Sequence, residues 1–176
     1  MKLSRRLLAL GLAALLAGCA APTPVDYAAE KPLLDLKTYF NGELVAHGLF
    51  TDRSGKVQRR FKVAMTGRWN GNEGTLDERF TYSDGRTERR VWHLTDEGGG
   101  RYTGRADDVL GVAVGNASGN ALNWRYTLKL PVDGSVYEVQ FDDWMYQMDE
   151  RVLLNRATMS KFGFRVGEVT LSFYRN

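Results

Sequence analysis

Asn123-Trp124-Arg125-Tyr126-Thr127-Leu128-Lys129-Leu130, the turn Val132-Asp133-Gly134-Ser135, and Tyr137-Glu138-Val139-Gln140-Phe141-Asp142 decide the fold of this chain. Large apolar residues fall on every second position: Trp124, Tyr126, Leu128 and Leu130, then Tyr137, Val139 and Phe141. Successive side chains of a strand point to opposite faces, so this spacing marks two strands, each with one face buried. The Asp-Gly pair between them is a hairpin signal.

The same grammar extends in both directions. Phe61, Val63, Met65 and Trp69 share one parity, with Lys62, Thr66 and Arg68 on the other. Leu76, Phe80 and Tyr82 alternate with Asp77, Arg79 and Thr81. Turn-forming runs separate the segments: Arg53-Ser54-Gly55-Lys56, Gly71-Asn72-Glu73-Gly74, Ser83-Asp84-Gly85-Arg86, Gly98-Gly99-Gly100 and Ser118-Gly119-Asn120. About ten strands follow by this count, near 43–51, 57–69, 75–82, 87–95, 101–108, 111–118, 121–130, 136–147, 151–160 and 166–175. A meander with short turns removes its exposed edges by closing on itself. The expected fold is therefore all-β: a single antiparallel up-and-down barrel, lipocalin-like, of about 8–10 strands. A membrane-spanning barrel needs an apolar outer parity on every strand. Here the second parity carries Lys, Arg, Asp and Thr.

Outside this region the chain changes character. Met1 to Arg6 is basic, Leu7 to Leu16 is apolar, and small residues follow, as in a secretory signal peptide. Ten residues at about 1.5 Å rise fall well short of a hydrocarbon core about 30 Å thick. Leu16-Ala17-Gly18-Cys19 resembles the lipobox of bacterial lipoproteins. That resemblance implies cleavage after Gly18, acyl chains on Cys19, and a membrane as partner. Ala20, where an Asp commonly marks inner-membrane retention, implies the outer membrane facing the periplasm. Cys19 is the single cysteine, so no intramolecular disulfide forms.

The expected division is a signal peptide at 1–18, a lipidated Cys and Pro-containing tether at 19–36, and a barrel domain at 37–176. Pro22, Pro24 and Pro32 make Ala20 to Lys31 read as an extended tether, with a reach of about 37 Å at roughly 3.1 Å per residue. Leu33, Leu34, Leu36, Tyr39 and Phe40 cluster behind it, and a short helical turn docking on the domain fits them. Residues 1–18 hold three of the 24 Lys and Arg and none of the 21 Asp and Glu, so removing them leaves 21 of each sign. A balanced chain offers no electrostatic case for nucleic acid or for an anionic membrane face.

Val91-Trp92-His93-Leu94, Tyr102 to Val109, Gly119 to Tyr126, Asp142-Asp143-Trp144-Met145-Tyr146, Leu154 to Ala157, Lys161-Phe162-Gly163 and Val166 to Thr170 resemble a family of uncharacterised proteobacterial lipoproteins. The resemblance covers nearly all of the chain after Cys19. It implies a lipocalin-like fold and assigns no activity. It also implies a setting among genes for membrane-lipid modification.

The chemistry-bearing residues are sparse. His47 and His93 stand on separate strands without closely spaced ligands, and the His-x-x-x-His arrangement of zinc sites is absent. Asp142-Asp143 and Asp107-Asp108 are neighbours that point to opposite faces of a strand, so neither pair chelates one ion. Gly115-Asn116-Ala117-Ser118-Gly119 has the wrong spacing for a nucleophile elbow. No metal, cofactor or catalytic residue is expected, and the chain reads as a binding protein rather than an enzyme. Gly111, Ala113, Gly115, Ala117 and Gly119 share a parity and mark either a bend or room inside the barrel. The ligand-binding candidates are Trp92, Trp124, Tyr126, Asp143, Trp144, Tyr146 and Arg156. Trp144 and Tyr146 share the face of Asp142, opposite Phe141, Asp143 and Met145, so both faces of that strand are substantial, and one of them meets the N-terminal segment, a partner or lipid rather than water. Arg156, amid Leu153, Leu154 and Ala157, needs a carboxylate if buried, with Asp142 or Asp143 across the hairpin. The expected role is to bind or carry a lipid, fatty acid or other apolar small molecule. The alternatives are a scaffold docking on an envelope protein complex, its protein partner unknown, and an accessory enzyme of lipid modification.

Overall fold

The computed structural model describes residues 21–132 and 134–175. The expected leader, the lipobox and Cys19 lie outside the described residues. Ten strands run in chain order: β1 (Gly42–Asp52), β2 (Val57–Asn70), β3 (Glu73–Tyr82), β4 (Thr87–Gly98), β5 (Arg101–Arg105), β6 (Val109–Ser118), β7 (Ala121–Val132), β8 (Ser135–Gln147), β9 (Val152–Lys161) and β10 (Phe164–Arg175). Each pairs antiparallel with its neighbours, and β1 pairs with β10 to close the barrel. The seam runs from Leu44↔Arg175 to Asp52↔Gly167. This is the lipocalin-like up-and-down barrel that the alternation predicts.

The inward parity is apolar: Leu44, Ala46, Val63, Met65, Leu76, Trp92, Leu94, Leu122, Trp124, Leu128, Leu153, Ala157 and Phe173 are buried. Two expected details change. The segment 101–108 is not one strand: β5 stops at Arg105 and the chain turns, with Val109 N–H donating to Ala106 C=O at 3.0 Å. Asp107 and Asp108 therefore belong to a turn. The small-residue stripe divides its roles. Gly111 has φ +74° at an irregularity of the β6–β7 pairing between Leu110 and Val114, so it supplies the bend. Gly115 faces the ring of Trp124 so closely that a Cβ would collide with it. A side chain of this protein fills that space, rather than a ligand.

The segment ahead of the barrel is not a free tether. Pro24–Tyr27 forms a 3-10 turn, held by Thr23 N–H donating to Asp26 Oδ2 at 2.7 Å. Tyr27 lies on the outer wall against Trp144 and Tyr146, with ring centroids 5.9 and 5.3 Å apart. Leu34 N–H donates to Gly119 C=O at 2.8 Å. Aromatic burial on the outer face of β8 outcompetes the extended conformation that the prolines suggest, so residues 21–31 have less free reach than an extended tether.

Helix α1 (Leu36–Tyr39) then caps one end of the barrel. Asp35 is its N-cap, its carboxylate accepting from Thr38 N–H at 2.7 Å. Tyr39 is almost wholly buried, its hydroxyl donating to Arg151 C=O at 2.9 Å with Phe173 C=O at 3.2 Å. Phe40 meets Phe173 edge-on at 5.6 Å. Leu34 and Leu36 are also buried, so the folded unit begins before residue 37. Phe40→Ala is expected to destabilise the protein by about 3–5 kcal/mol in urea unfolding, because a buried ring leaves a cavity that the rigid strand ends cannot fill.

Candidate functional site

Among the described residues, a cap covers one end of the barrel. The interior forms a cavity of about 1060 Å³, running from Leu36 and Phe40 at the capped end to Phe50, Tyr82, Arg86 and Pro131 at the other. That volume lies at the upper end of the roughly 300–1,000 Å³ typical of small-molecule sites. Most of its wall is aliphatic and aromatic. Trp92 stands edge-on to Trp124 at 5.7 Å and to Tyr126 at 5.4 Å. Tyr126 stacks on Phe141 at 4.9 Å and 11°. Antiparallel register places Trp124 opposite Asp143 and Tyr126 opposite Phe141, so these four side chains meet inside the lumen.

A compact polar cluster interrupts the apolar wall. Tyr126 Oη donates to Asp143 Oδ2 at 3.4 Å, a weak bond, while Asp143 Oδ1 has no partner. Asp143 is 6% exposed, and burial is the main cause that raises its pKa to about 8. Its carboxyl is therefore largely neutral at pH 7. Next to it, Arg90 forks onto Asp108, with Nε at 2.9 Å and Nη2 at 2.7 Å from Oδ2. Its Nη1 lies 3.7 Å from Glu78 Oε2, too long for a hydrogen bond. Burial raises Glu78 to about 7, against the pull of Arg90. Asn155 adds another unpartnered oxygen, Oδ1, nearer the cap, while its Nδ2 donates to Trp144 C=O at 3.3 Å. Three buried oxygens thus face the cavity without hydrogen-bond partners.

The structure brings together four of the seven ligand-binding candidates. Trp92, Trp124, Tyr126 and Asp143 line the cavity. Trp144 and Tyr146 do not: they stack on each other at 6.0 Å outside the barrel, under Tyr27. Of the coverings their parity allows, the N-terminal segment is the one present. Arg156 also fails to reach the lumen. It is exposed on the outer face, and its Nη2 pairs with Glu168 at 2.8 Å rather than with Asp142 or Asp143. Its parity is opposite to that of Leu153, Asn155 and Ala157, which point inward. Asp142 is likewise outside, paired with Arg125 Nε at 3.1 Å. His47 and His93 are both exposed on the outer wall. Among the described residues, no group of three His, Cys, Asp or Glu is placed to hold a metal ion.

Glu78, Arg90, Asp108 and Asn155 are the polar site residues that sequence reasoning missed. The signal for the first two was present. Glu78 lies between Leu76 and Phe80 on the apolar parity of β3, and Arg90 shares the parity of Trp92 and Leu94 on β4. A charged residue on a buried parity is the mark of a polar site inside a barrel. Asp108 carries no such mark, since it comes from a turn.

Fold and lumen together define a lipocalin-like barrel that is hollow, plugged at one end and polar in its middle. The chain belongs to the DUF3833 family, proteins of unknown function, which matches residues 13–175. None of the curated proteins compared matches it. A crystal structure of a protein of unknown function from the DUF3598 family of Nostoc punctiforme is similar, with 16% identity and a TM-score of 0.50. The match covers 89% of this chain and 53% of that one, so this chain spans about half that protein's length. A de novo designed fluorescence-activating β-barrel is also similar: 15% identity, TM-score 0.42, covering 82% of this chain and 100% of the design. These likenesses concern the fold.

The raised carboxyl makes stability pH-dependent. Between the unfolded pKa near 3.9 and the folded value of about 8, the folded state holds a proton on Asp143 that the unfolded chain has lost. Stability from this group is full below the lower value and falls as pH rises through the upper one. Asp143→Asn removes the effect. Across pH 5–8 the variant is expected to gain on the parent by on the order of 1 kcal/mol per pH unit in urea unfolding.

Proposed function

We propose that this protein is a lipid-anchored binding protein of the cell envelope, whose barrel holds an amphipathic small molecule of membrane origin. One observation carries the binding reading: an apolar cavity of about 1060 Å³, open at one end, with unpartnered oxygens in its wall. Apolar walls favour an acyl or similarly greasy body through removal of its surface from water. The polar cluster sets the head. Arg90 is engaged by Asp108, which leaves no ready cation within the polar cluster, while Arg59 and Lys129 line the cavity nearer its mouth. Asp143, Glu78 and Asn155 instead present oxygens that lack partners: a neutral carboxyl has a hydrogen to donate, and the Asn155 amide oxygen accepts. Unpaired buried polar groups are costly, and a ligand whose hydroxyl or amide both donates and accepts relieves them. A hydroxyl or amide head suits the cluster better than an ionised fatty acid. The role is binding and carriage rather than turnover.

The anchoring part of the proposal draws on the N-terminal pattern: a basic start, an apolar run, and the lipobox-like Leu16-Ala17-Gly18-Cys19. It puts the protein on the outer membrane facing the periplasm, held by acyl chains on Cys19. Labelling with an alkyne fatty acid is expected to mark the parent and not Cys19→Ser.

Native mass spectrometry of protein gently extracted from membranes tests the binding reading. The expected result is a bound lipid-sized mass, displaced by long-chain alcohols or monoacylglycerols more readily than by fatty acids at pH 7. Ala157→Leu, which narrows the lumen opposite Asp143, is expected to cut occupancy several-fold. Protein that stays empty at every lipid load contradicts the proposal.

A further inference from the structure

The open end of the barrel has an unusual rim. The β9–β10 tip reads Lys161-Phe162-Gly163-Phe164-Arg165, and Phe162 and Phe164 are 84% and 73% exposed. Phe162 also has φ +52°, which turns its ring outward at the very apex. On one side, Gln140 pairs with Ser160, which sets the start of β8 beside this tip. Val136 there is 66% exposed, and Lys161 Nζ sits 3.7 Å from the centre of the Tyr137 ring. On the other side, Asp52 pairs with Gly167, which sets the β1–β2 tip alongside Arg165 and Val166. That tip contributes Val57, Arg53 and Lys56, all exposed. Three adjacent hairpin ends therefore form one edge, aromatic and aliphatic at its apex and basic along its flanks.

Among the described residues, basic side chains outnumber acidic ones on this edge. Glu168 lies back from the tip and holds Arg156 and Arg165. Asp52 is committed to its own turn, accepting from Ser54 N–H at 2.8 Å and Lys56 N–H at 3.2 Å. Glu138 is the exposed carboxylate nearest Tyr137. Arg53, Lys56 and Lys161 form no salt bridge among the described residues, and Lys161 instead lies over the Tyr137 and Phe162 rings. The capped end is built differently: three of its four hairpins turn on Gly71-Asn72, Gly99-Gly100 and Gly119-Asn120, and the fourth runs through Met148, Asp149, Glu150 and Arg151.

We propose that this edge docks on an anionic bilayer surface, with Phe162, Phe164 and Val136 entering the headgroup boundary and Arg53, Lys56 and Lys161 facing lipid phosphates. Rings at the tip with lysine and arginine behind them match the arrangement of interfacial segments. Exposed apolar groups at three loop ends, rather than one broad flat patch, suit a soft interface that fills around them. The basic flanks complement the negative surface of a membrane. The edge also adjoins the open mouth, so docking sets the cavity against the lipid source. The surface proposal stands apart from the ligand reading, because it rests on the rim alone.

Residues 21–176 hold every strand and the capping helix, and they contain no cysteine, since the single one is Cys19. Phe162→Cys and, at the capped end, Asn72→Cys are each labelled with an environment-sensitive fluorophore. They are mixed with vesicles of phosphatidylglycerol and phosphatidylethanolamine, or of phosphatidylcholine alone. The expected result is a blue shift of the label at 162 with anionic vesicles, weakened by salt, and none at 72. In co-sedimentation, Phe162→Ser with Phe164→Ser is expected to lower vesicle partitioning at least tenfold with an unchanged melting temperature. An equal shift at both sites, binding indifferent to lipid charge, or no binding to either vesicle overturns the proposal. A shift at 162 produced only by a lipid-free envelope protein fraction overturns it in favour of a protein partner. None of these results bears on whether the lumen holds a ligand, which mass spectrometry reads separately.

Discussion

The pairing of β1 with β10 is the constraint on which everything else depends. Without it the sheet has two bare edges, and its apolar parity has no enclosed volume to face. With it, nine consecutive pairs from Leu44↔Arg175 to Asp52↔Gly167 fix the register of the whole circle. A slip of one residue at that seam turns every inward side chain outward. Closure also brings the C-terminal end of β10 beneath α1, where Tyr39 and Phe40 meet Phe173. The helix plugs one end because the seam places its contacts there. The other end stays open, and the cavity follows from that asymmetry.

Inside the closed sheet, packing and polarity divide the lumen by height. Near the cap, Leu36, Phe40, Leu44, Met65, Leu122 and Leu153 pack into a core. Higher up, Gly115 lets the Trp124 ring lie flat against the wall, and Trp92 and Tyr126 build on that ring. The polar cluster starts there. Low dielectric around it raises both Asp143 and Glu78, so the carboxyls avoid charges they have no means of pairing. Arg90 is tolerated because Asp108, arriving from the β5–β6 turn, completes its fork. A fully packed barrel has no use for three unpartnered oxygens. A barrel that receives a hydrogen-bonding ligand does.

The fold was legible in the sequence because a two-residue period with turn signals reports directly on a one-sided sheet. Strand number, order and closure all follow from that reading. The inward placement of Trp92, Trp124, Tyr126 and Asp143 was legible for the same reason. The rest depended on facts that alternation does not carry. Arg156 looked buried because its neighbours in sequence are apolar, yet its own parity points outward, and Glu168 was its partner. Trp144 and Tyr146 looked like ligand walls, but their outer face is covered by Tyr27, 117 and 119 residues away along the chain. Proline content suggested a loose tether, and tertiary contacts with that same face won. Asp108 joins the site from a turn whose position only the folded register defines.

The central claim is that the barrel is a vessel with a fixed polar step inside it. A crystal structure of the protein, extracted from membranes in mild detergent and never exposed to added lipid, tests it most directly. The account predicts continuous elongated electron density in the lumen, with a polar end within hydrogen-bond distance of Asp143 Oδ1 or Glu78 Oε2. A lumen closed by inward movement of Trp92, Tyr126 and Phe141, with Asp143 bonded to the protein's own groups, contradicts it.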